Sequence, residues 1–417
     1  MAGNTAKREL RAGVSPSPAI TGRRALLITV VVCATPVVSH SIGRSIYGLL
    51  LPAIRDDLAL TNAQAGWPSS GTFLLYVVGV VAVVFLSPRC EPATIMRAAL
   101  VLSLGGVALA ATAPGLTNLT LGVSLVGGAG AGIWMTAPVL ATEYVSVKRR
   151  GLVIGALTST IGLANILFGL GTSAWRSSAN DEQLWRPIWW VAFGLIAVLL
   201  IGMVGFARFT PTDRITTKGI DFSVIRRLPR WREITVAYAL FGGMSAGFGT
   251  FIVAALQDHG NIAESTSPLI FAAMGVAGML SAPVAGALSD RIGRLSVMRA
   301  VLVTLVVANL LVAAGGAVPV VVGALVYSAG AASFPALIAT YVRDTLDKRA
   351  FSQALATMTI LFSLIAAAFP AIVGRLADIS FRWSYLVLAV LPALAFVLLI
   401  AGAARTPAGQ ADRTEGL

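Results

Sequence analysis

The chain has 417 residues, of which 57% are hydrophobic and only 12% charged, with a formal net charge of +13 and two cysteines. A soluble domain carries roughly 25% charged residues, so the composition excludes an ordinary soluble fold. Two cysteines, Cys33 and Cys90, exclude a disulfide framework and give no metal signature.

Residues 1–23 are polar and basic. The apolar run that follows is too long for a signal-peptide core, so the first helix is expected to stay in the mature protein. A spanning helix needs roughly 20 apolar residues. Twelve segments qualify, at about 25–51, 66–87, 93–113, 117–142, 151–174, 187–207, 232–256, 267–288, 296–314, 317–341, 351–373 and 383–404.

The first segment contains SHSIGRSIYGLLLP, from Ser39 to Pro52. At about 1.5 Å per residue, His40 lies roughly 24 Å and Arg44 roughly 30 Å along the helix from Arg24. Their i, i+4 spacing places them on one face. Two readings stay open. In one, that face lines a polar cavity, where the arginine fork matches carboxylate or phosphate oxygens. His40 then binds the same anion or carries a coupling proton. In the other, Arg44 snorkels to the outer interface, Tyr47 belongs to an aromatic belt, and His40 is a packing residue.

Further along, Trp134 stands in the middle of the fourth segment, where it stacks on a ligand or simply packs. Trp67, Trp175, Trp185, Trp189, Trp190, Trp231 and Trp383 stand near segment ends and read as interface anchors. In the fifth segment Gly155, Gly162 and Gly169 recur every seven residues, a face for close helix packing. Asn165 in the same segment carries an amide that seeks a partner in hydrocarbon. After the sixth segment comes a basic linker, RFTPTDRITTKGIDFSVIRRLPRW, read as a tether or, at its end, a short interfacial helix. Asp258 and His259 close the seventh segment, either as an outer-gate pair or as a solvated loop.

Lys and Arg outside the spans decide orientation. With the N-terminus inside, inner segments hold 25 and outer loops five, leaving Arg44 as the one formal charge deep in a span. That asymmetry follows the positive-inside rule, with both termini cytoplasmic. It also assigns the basicity to topology and anionic lipid rather than to nucleic acid.

Between the eighth and ninth segments stands GALSDRIGRLSVMR. Gly286 permits close packing, Asp290 can cap a helix N-terminus, Arg291 and Arg294 anchor the inner face, and Gly293 makes a tight turn. Together with Leu288 and Ser289, these residues resemble the G-x-L-[AS]-D-R-x-G-R loop signature of the major facilitator superfamily, and the six-plus-six layout extends the resemblance over most of the chain. The first copy of the signature departs from the pattern: VVFLSPRCEPATIMR keeps Arg89 and Arg97 but no Asp or paired glycines.

The resemblance implies an all-α membrane protein of twelve transmembrane helices in two pseudo-symmetric six-helix bundles, of the bacterial type. The expected layout is an N-tail (1–23), an N-terminal bundle (24–207), a linker (208–230), a C-terminal bundle (231–405) and a C-tail (406–417). It implies a conformational latch at Gly286, Asp290, Arg291, Gly293 and Arg294, in which Asp290 and Glu143 join an inner-face charge network; otherwise both acids are ordinary helix caps. Glu143-Tyr144 and Lys148-Arg149-Arg150-Gly151 resemble the family's loop after the fourth helix. Cavity-lining candidates are Arg44, His40, Tyr47, Ser70, Tyr76, Trp134, Asn165, Phe248, Tyr327 and Gln353, with His40 or Glu143 carrying a proton.

The expected function is secondary transport of a small organic solute, a carboxylate in the first instance, by proton symport across a bacterial inner membrane. It uses no cofactor or metal and acts as a monomer. A proton-coupled exporter of drugs or metabolites is the alternative, although the Gly-Pro-rich fifth-helix pattern of such exporters is missing. No phosphate-binding loop supports direct ATP drive. A membrane acyltransferase would need a reactive histidine motif that neither His40 nor His259 supplies, and a sensor on the same fold would bind without flux.

Overall fold

The computed structural model describes residues 22–143, 145–146, 149–178, 185–205 and 222–404. Its regular elements there are all helical, and twelve helices are long and apolar enough to cross a membrane. They are α1 (Gly22–Asp57), α2 (Asn62–Leu86), α3 (Pro92–Ala111), α4 (Leu116–Glu143), α5 (Arg150–Ser178), α6 (Trp185–Gly205), α7 (Trp231–Asp258), α8 (Ser267–Ile292), α9 (Arg294–Ala314), α10 (Ala317–Thr345), α11 (Lys348–Ala377) and α12 (Phe381–Ala404). The expected tails, and the linker up to residue 221, lie outside the described residues. The linker's end forms a 3-10 turn, Val224–Arg227, with Val224, Ile225 and Leu228 buried.

Local sequence signals set several helix ends. Thr61 and Gln64 form a reciprocal capping box at the start of α2. Pro92 occupies the first turn of α3, where its missing N–H costs nothing. Gly293 joins α8 to α9 with φ 87°, a conformation suited to glycine.

The first helix departs from the uniform α-helix expected for it. Val37–Ser45 is π-helical, following Pro36, which has no N–H to give. The Ile46 N–H bonds five residues back to the Ser41 carbonyl, and the Ser45 hydroxyl donates to the His40 carbonyl at 3.3 Å. His40 and Arg44 therefore sit on a wider turn than α-helical spacing assumes. Such segments are frequent at functional sites.

Helices α1–α6 form one bundle and α7–α12 the other, and they meet along α1–α7, α2–α11 and α5–α8. We call the end where α1 begins proximal and the opposite end distal. The bonds that tie the halves together gather distally. Arg55 pairs with Asp258 at 2.5 Å, the Asn62 and Ala63 N–H groups donate to Asp378 at 2.8 and 3.1 Å, Arg176 pairs with Glu264, and the Ser173 hydroxyl donates to the Ser265 carbonyl at 2.7 Å.

The glycines record the same asymmetry. Gly162 and Gly169 lie against Gly275 and Pro268 of α8, whereas Gly155, nearer the proximal end, has open space around it. The expected three-glycine packing face is therefore two glycines long. Gly286, expected to permit close packing, also has nothing within 4 Å of where a Cβ would stand. Helices α5 and α8 touch distally and part proximally. A Cβ on Gly48 of α1 would fall onto the Gly249 carbonyl of α7. Gly48→Val is therefore expected to hold the distal end apart and to cut transport at least tenfold. Spin-label distances between the exposed distal residues 59 and 261 would lengthen; an unchanged distance contradicts this.

Two tryptophans differ from expectation. Trp185 and Trp189 are fully buried rather than interfacial, and the Trp185 indole donates to Asp57 at 3.0 Å. Trp67, Trp175, Trp190 and Trp383 are exposed, as interface anchors would be.

Candidate functional site

The π-helical segment turns His40 and Arg44 inward rather than toward the distal rim. The Arg44 guanidinium carbon lies 4.9 Å from the ring centroid of Phe73 and 4.5 Å from that of Tyr76, both on α2. Arg44 Nε is buried without a hydrogen-bond partner. Among the described residues no carboxylate forms an ion pair with Arg44. His40 Nδ1 is 2.8 Å from the Ser39 hydroxyl, and its ring lies 4.3 Å from Trp134 of α4 at 50°. His40, Arg44 and Trp134 all remain partly accessible.

The second bundle supplies aromatic surface opposite this group. The Phe362 ring of α11 stands 6.4 Å from Phe73 and 5.0 Å from Tyr238 of α7. Tyr238 stacks parallel to Phe241 at 6.4 Å, and Phe241 meets Phe334 of α10 at 5.0 Å. These aromatic residues were not singled out by sequence, because a phenylalanine in an apolar helix carries no contrast. The result is a partly accessible cation and imidazole in the first bundle, joined through Phe73 to the aromatic side chains of the second. An unpaired guanidinium in such surroundings attracts an anion with several acceptor oxygens.

The other candidates divide. Tyr76 and Trp134 join the group. Tyr47 does not: its side chain is fully buried and its hydroxyl donates to the Ala65 carbonyl at 2.6 Å, which fastens α1 to α2. Phe248 is fully buried too, stacked on Tyr327 inside the second bundle, where the Tyr327 hydroxyl donates to the Ser245 carbonyl at 3.3 Å. Asn165 is half-buried with an unpartnered Oδ1, and Ser70 Oγ is likewise unpartnered. Gln353 lies in the first turns of α11 and has partners of its own.

At the proximal end Asp290 pairs with Arg294 at 2.5 Å, and Arg294 reaches Asp344 at 3.4 Å and the Ser289 hydroxyl. This bonding stays inside the second bundle, and Arg291 is exposed beside it. Glu143 is exposed at the end of α4, and Tyr144 and Lys148 lie outside the described residues. At the distal end Asp258 makes a cross-bundle pair, whereas His259 Nε2 lies 3.4 Å from the Ala313 carbonyl within its own half.

The Major Facilitator Superfamily model matches residues 37–234 and again 234–416, one copy per bundle. The chain belongs to the Major Facilitator Superfamily. With its twelve apolar helices it is a multi-pass membrane protein of that family. It is 26% identical over 154 residues to "Uncharacterized transporter YgaY" of Escherichia coli O157:H7, a match covering 37% of this chain and 38% of that protein. It is 24% identical over 262 residues to the "Probable 4-methylmuconolactone transporter" of Cupriavidus pinatubonensis, covering 61% of this chain and 60% of that one. The matched stretches therefore span less than two thirds of either relative.

Among solved structures, the nucleoside transporter NupG superposes with a TM-score of 0.72 at 13% identity, covering 92% of this chain and 100% of that one. A bacterial homologue of the human lysosomal transporter Spinster, inward-facing and unoccupied, superposes with a TM-score of 0.70 at 14% identity, covering 94% and 98%. Both likenesses carry the fold.

Proposed function

We propose that this facilitator moves a small organic anion, a carboxylate, by proton symport through alternating access. The observation that carries the reading is Arg44: a guanidinium deep in the bundle, facing the chamber, with no carboxylate partner among the described residues and a buried Nε left unpaired. Substrate sites of such transporters lie between the repeats, and the rings on which Arg44 rests lead through Phe362 to the second bundle. The curated relative named for 4-methylmuconolactone supports a small organic solute.

By the positive-inside asymmetry of the loops, the proximal end is cytoplasmic and the distal end faces out. The membrane is then the inner membrane of a bacterium, and the parted ends of α5 and α8 open toward the cytoplasm. The protein acts as a monomer in this reading, since one chain supplies both bundles that meet beside Arg44.

His40 is the proton carrier in this reading. Its imidazole shares the π-helical turn with Arg44, lies 2.8 Å from the Ser39 hydroxyl and meets the Trp134 ring at 4.3 Å. His40→Gln is expected to leave counterflow of the anion intact and to remove acceleration by an imposed pH gradient. Proteoliposomes measure both; gradient-driven uptake by the variant contradicts the role. The founding experiment is uptake of radiolabelled carboxylates into vesicles. The reading fails if neutral or cationic drugs move and carboxylates do not.

A further inference from the structure

We propose that the chamber takes a ring-bearing carboxylate, and that Tyr238 is the specificity-determining residue contributed by the second bundle. This deepens the anion reading and rests on it.

The polar groups around the guanidinium are donors. The Arg44 guanidinium lies over the Tyr76 and Phe73 rings at 4.5 and 4.9 Å, and Tyr238 is joined to Phe73 through Phe362. A carboxylate suits this set, because it presents about four lone-pair sites and no proton of its own.

The remaining walls are ring faces. Phe73, Phe362 and Tyr238 form a continuous aromatic chain from the first bundle to the second, with centroid steps of 6.4 and 5.0 Å. Phe241 backs Tyr238 in a near-parallel stack of 7°. A ring attached to the carboxylate would lie along that chain while its oxygens meet Arg44, Tyr76 and Tyr238. Ring–ring contact is worth roughly two- to tenfold in binding per pair, beyond the area buried. Two such contacts separate a planar ring from a saturated one of similar size by about tenfold or more. In this proposal Tyr238 takes part in both recognitions, its hydroxyl toward the carboxylate and its ring, between Phe362 and Phe241, toward the substrate ring. It also carries the site across the seam between bundles, so occupancy is felt by both.

The test is competition binding to the purified full-length protein in detergent. The probes are benzoate and phenylacetate, cyclohexanecarboxylate as a saturated ring of equal charge, and benzyl alcohol as a neutral ring. Wild-type protein is expected to prefer the better aromatic acid over cyclohexanecarboxylate by at least tenfold and to bind benzyl alcohol weakest. Tyr238→Phe, which keeps the ring, should lose about tenfold for both kinds of acid while preserving their ratio. Tyr238→Leu should bring the ratio toward one. A structural role alone would lower all affinities together and leave the ratio unchanged.

Equal binding of benzoate and cyclohexanecarboxylate, both lost in Arg44→Gln, would overturn the aromatic proposal and leave the anion reading standing. Unchanged affinities and ratio in both Tyr238 variants would overturn the role of Tyr238. If none of the acids binds, both readings fall.

Discussion

Arg44→Gln should abolish anion transport while raising the thermal stability of the unliganded protein. A buried ion costs several kcal/mol in lost hydration even after relaxation. Two cation–π contacts, with Phe73 and Tyr76, return at most about 2 kcal/mol each when desolvated. With no carboxylate paired to it, the guanidinium is a net cost to the empty protein, met by the ligand. Each charge-assisted hydrogen bond it gives an anion is worth about 1.5–3 kcal/mol. Losing a bidentate pair therefore lowers affinity by a factor on the order of 10² or more. Uptake assays and a melting curve on the same preparation check both halves of the statement. A variant that is clearly less stable than wild type would mean that Arg44 is already compensated in the empty protein.

The second large effect concerns the distal closure. Asp378 of the second bundle accepts the Asn62 and Ala63 N–H groups, so it caps the N-terminus of α2 from the other half of the molecule. A cap of this kind is worth about 0.5–2 kcal/mol, helped by the helix dipole. Beside it Arg55 bridges Asp258 at 2.5 Å and Asn62 at 3.2 Å. The two contacts share Asn62, so their effects should couple rather than add. The Arg55→Ala, Asp378→Ala double variant is expected to weaken distal closure by about 2–3 kcal/mol, a shift of roughly 30- to 150-fold in the balance of the two conformations. A cysteine introduced on the distal wall should become reactive to an impermeant thiol reagent in the double variant and stay protected in the parent. Equal protection would show that glycine packing alone, of Gly48 against Gly249 and of Gly66 on α2 against Pro370 on α11, holds the closure.

Much of the fold was legible because bilayer thickness imposes long apolar runs and loop arginines record orientation. Arg44 was legible for a related reason: a single charge in hydrocarbon has no background to hide in. The π-helical turn was not, because the side chains at Val37–Ser45 fit an α-helical pattern equally well and the change lies in backbone hydrogen bonding. Tyr238, Phe73 and Phe362 were hidden among apolar neighbours, since lipid-facing and chamber-facing rings look alike in sequence. Trp185 and Trp189 misled for the opposite reason: their place at a helix end mimics an interface belt, yet Asp57 draws the Trp185 indole inward. The Asp378 cap joins residues more than 300 positions apart and depends wholly on how the bundles meet. The latch loop was recognisable by its residues, but its bonding partner Asp344 emerged only from the packing of α8, α9 and α10.

The most direct measurement of the central claim compares a carboxylate with its neutral amide, matched in shape, by thermal shift on wild-type and Arg44→Gln protein. At a ligand concentration one hundred times the dissociation constant, binding stabilises the folded state by about 2.7 kcal/mol. The carboxylate should raise the melting temperature of the wild type, the amide should leave it unchanged, and Arg44→Gln should respond to neither. Equal stabilisation by carboxylate and amide, or a carboxylate shift that survives in Arg44→Gln, would contradict an anion site built on Arg44.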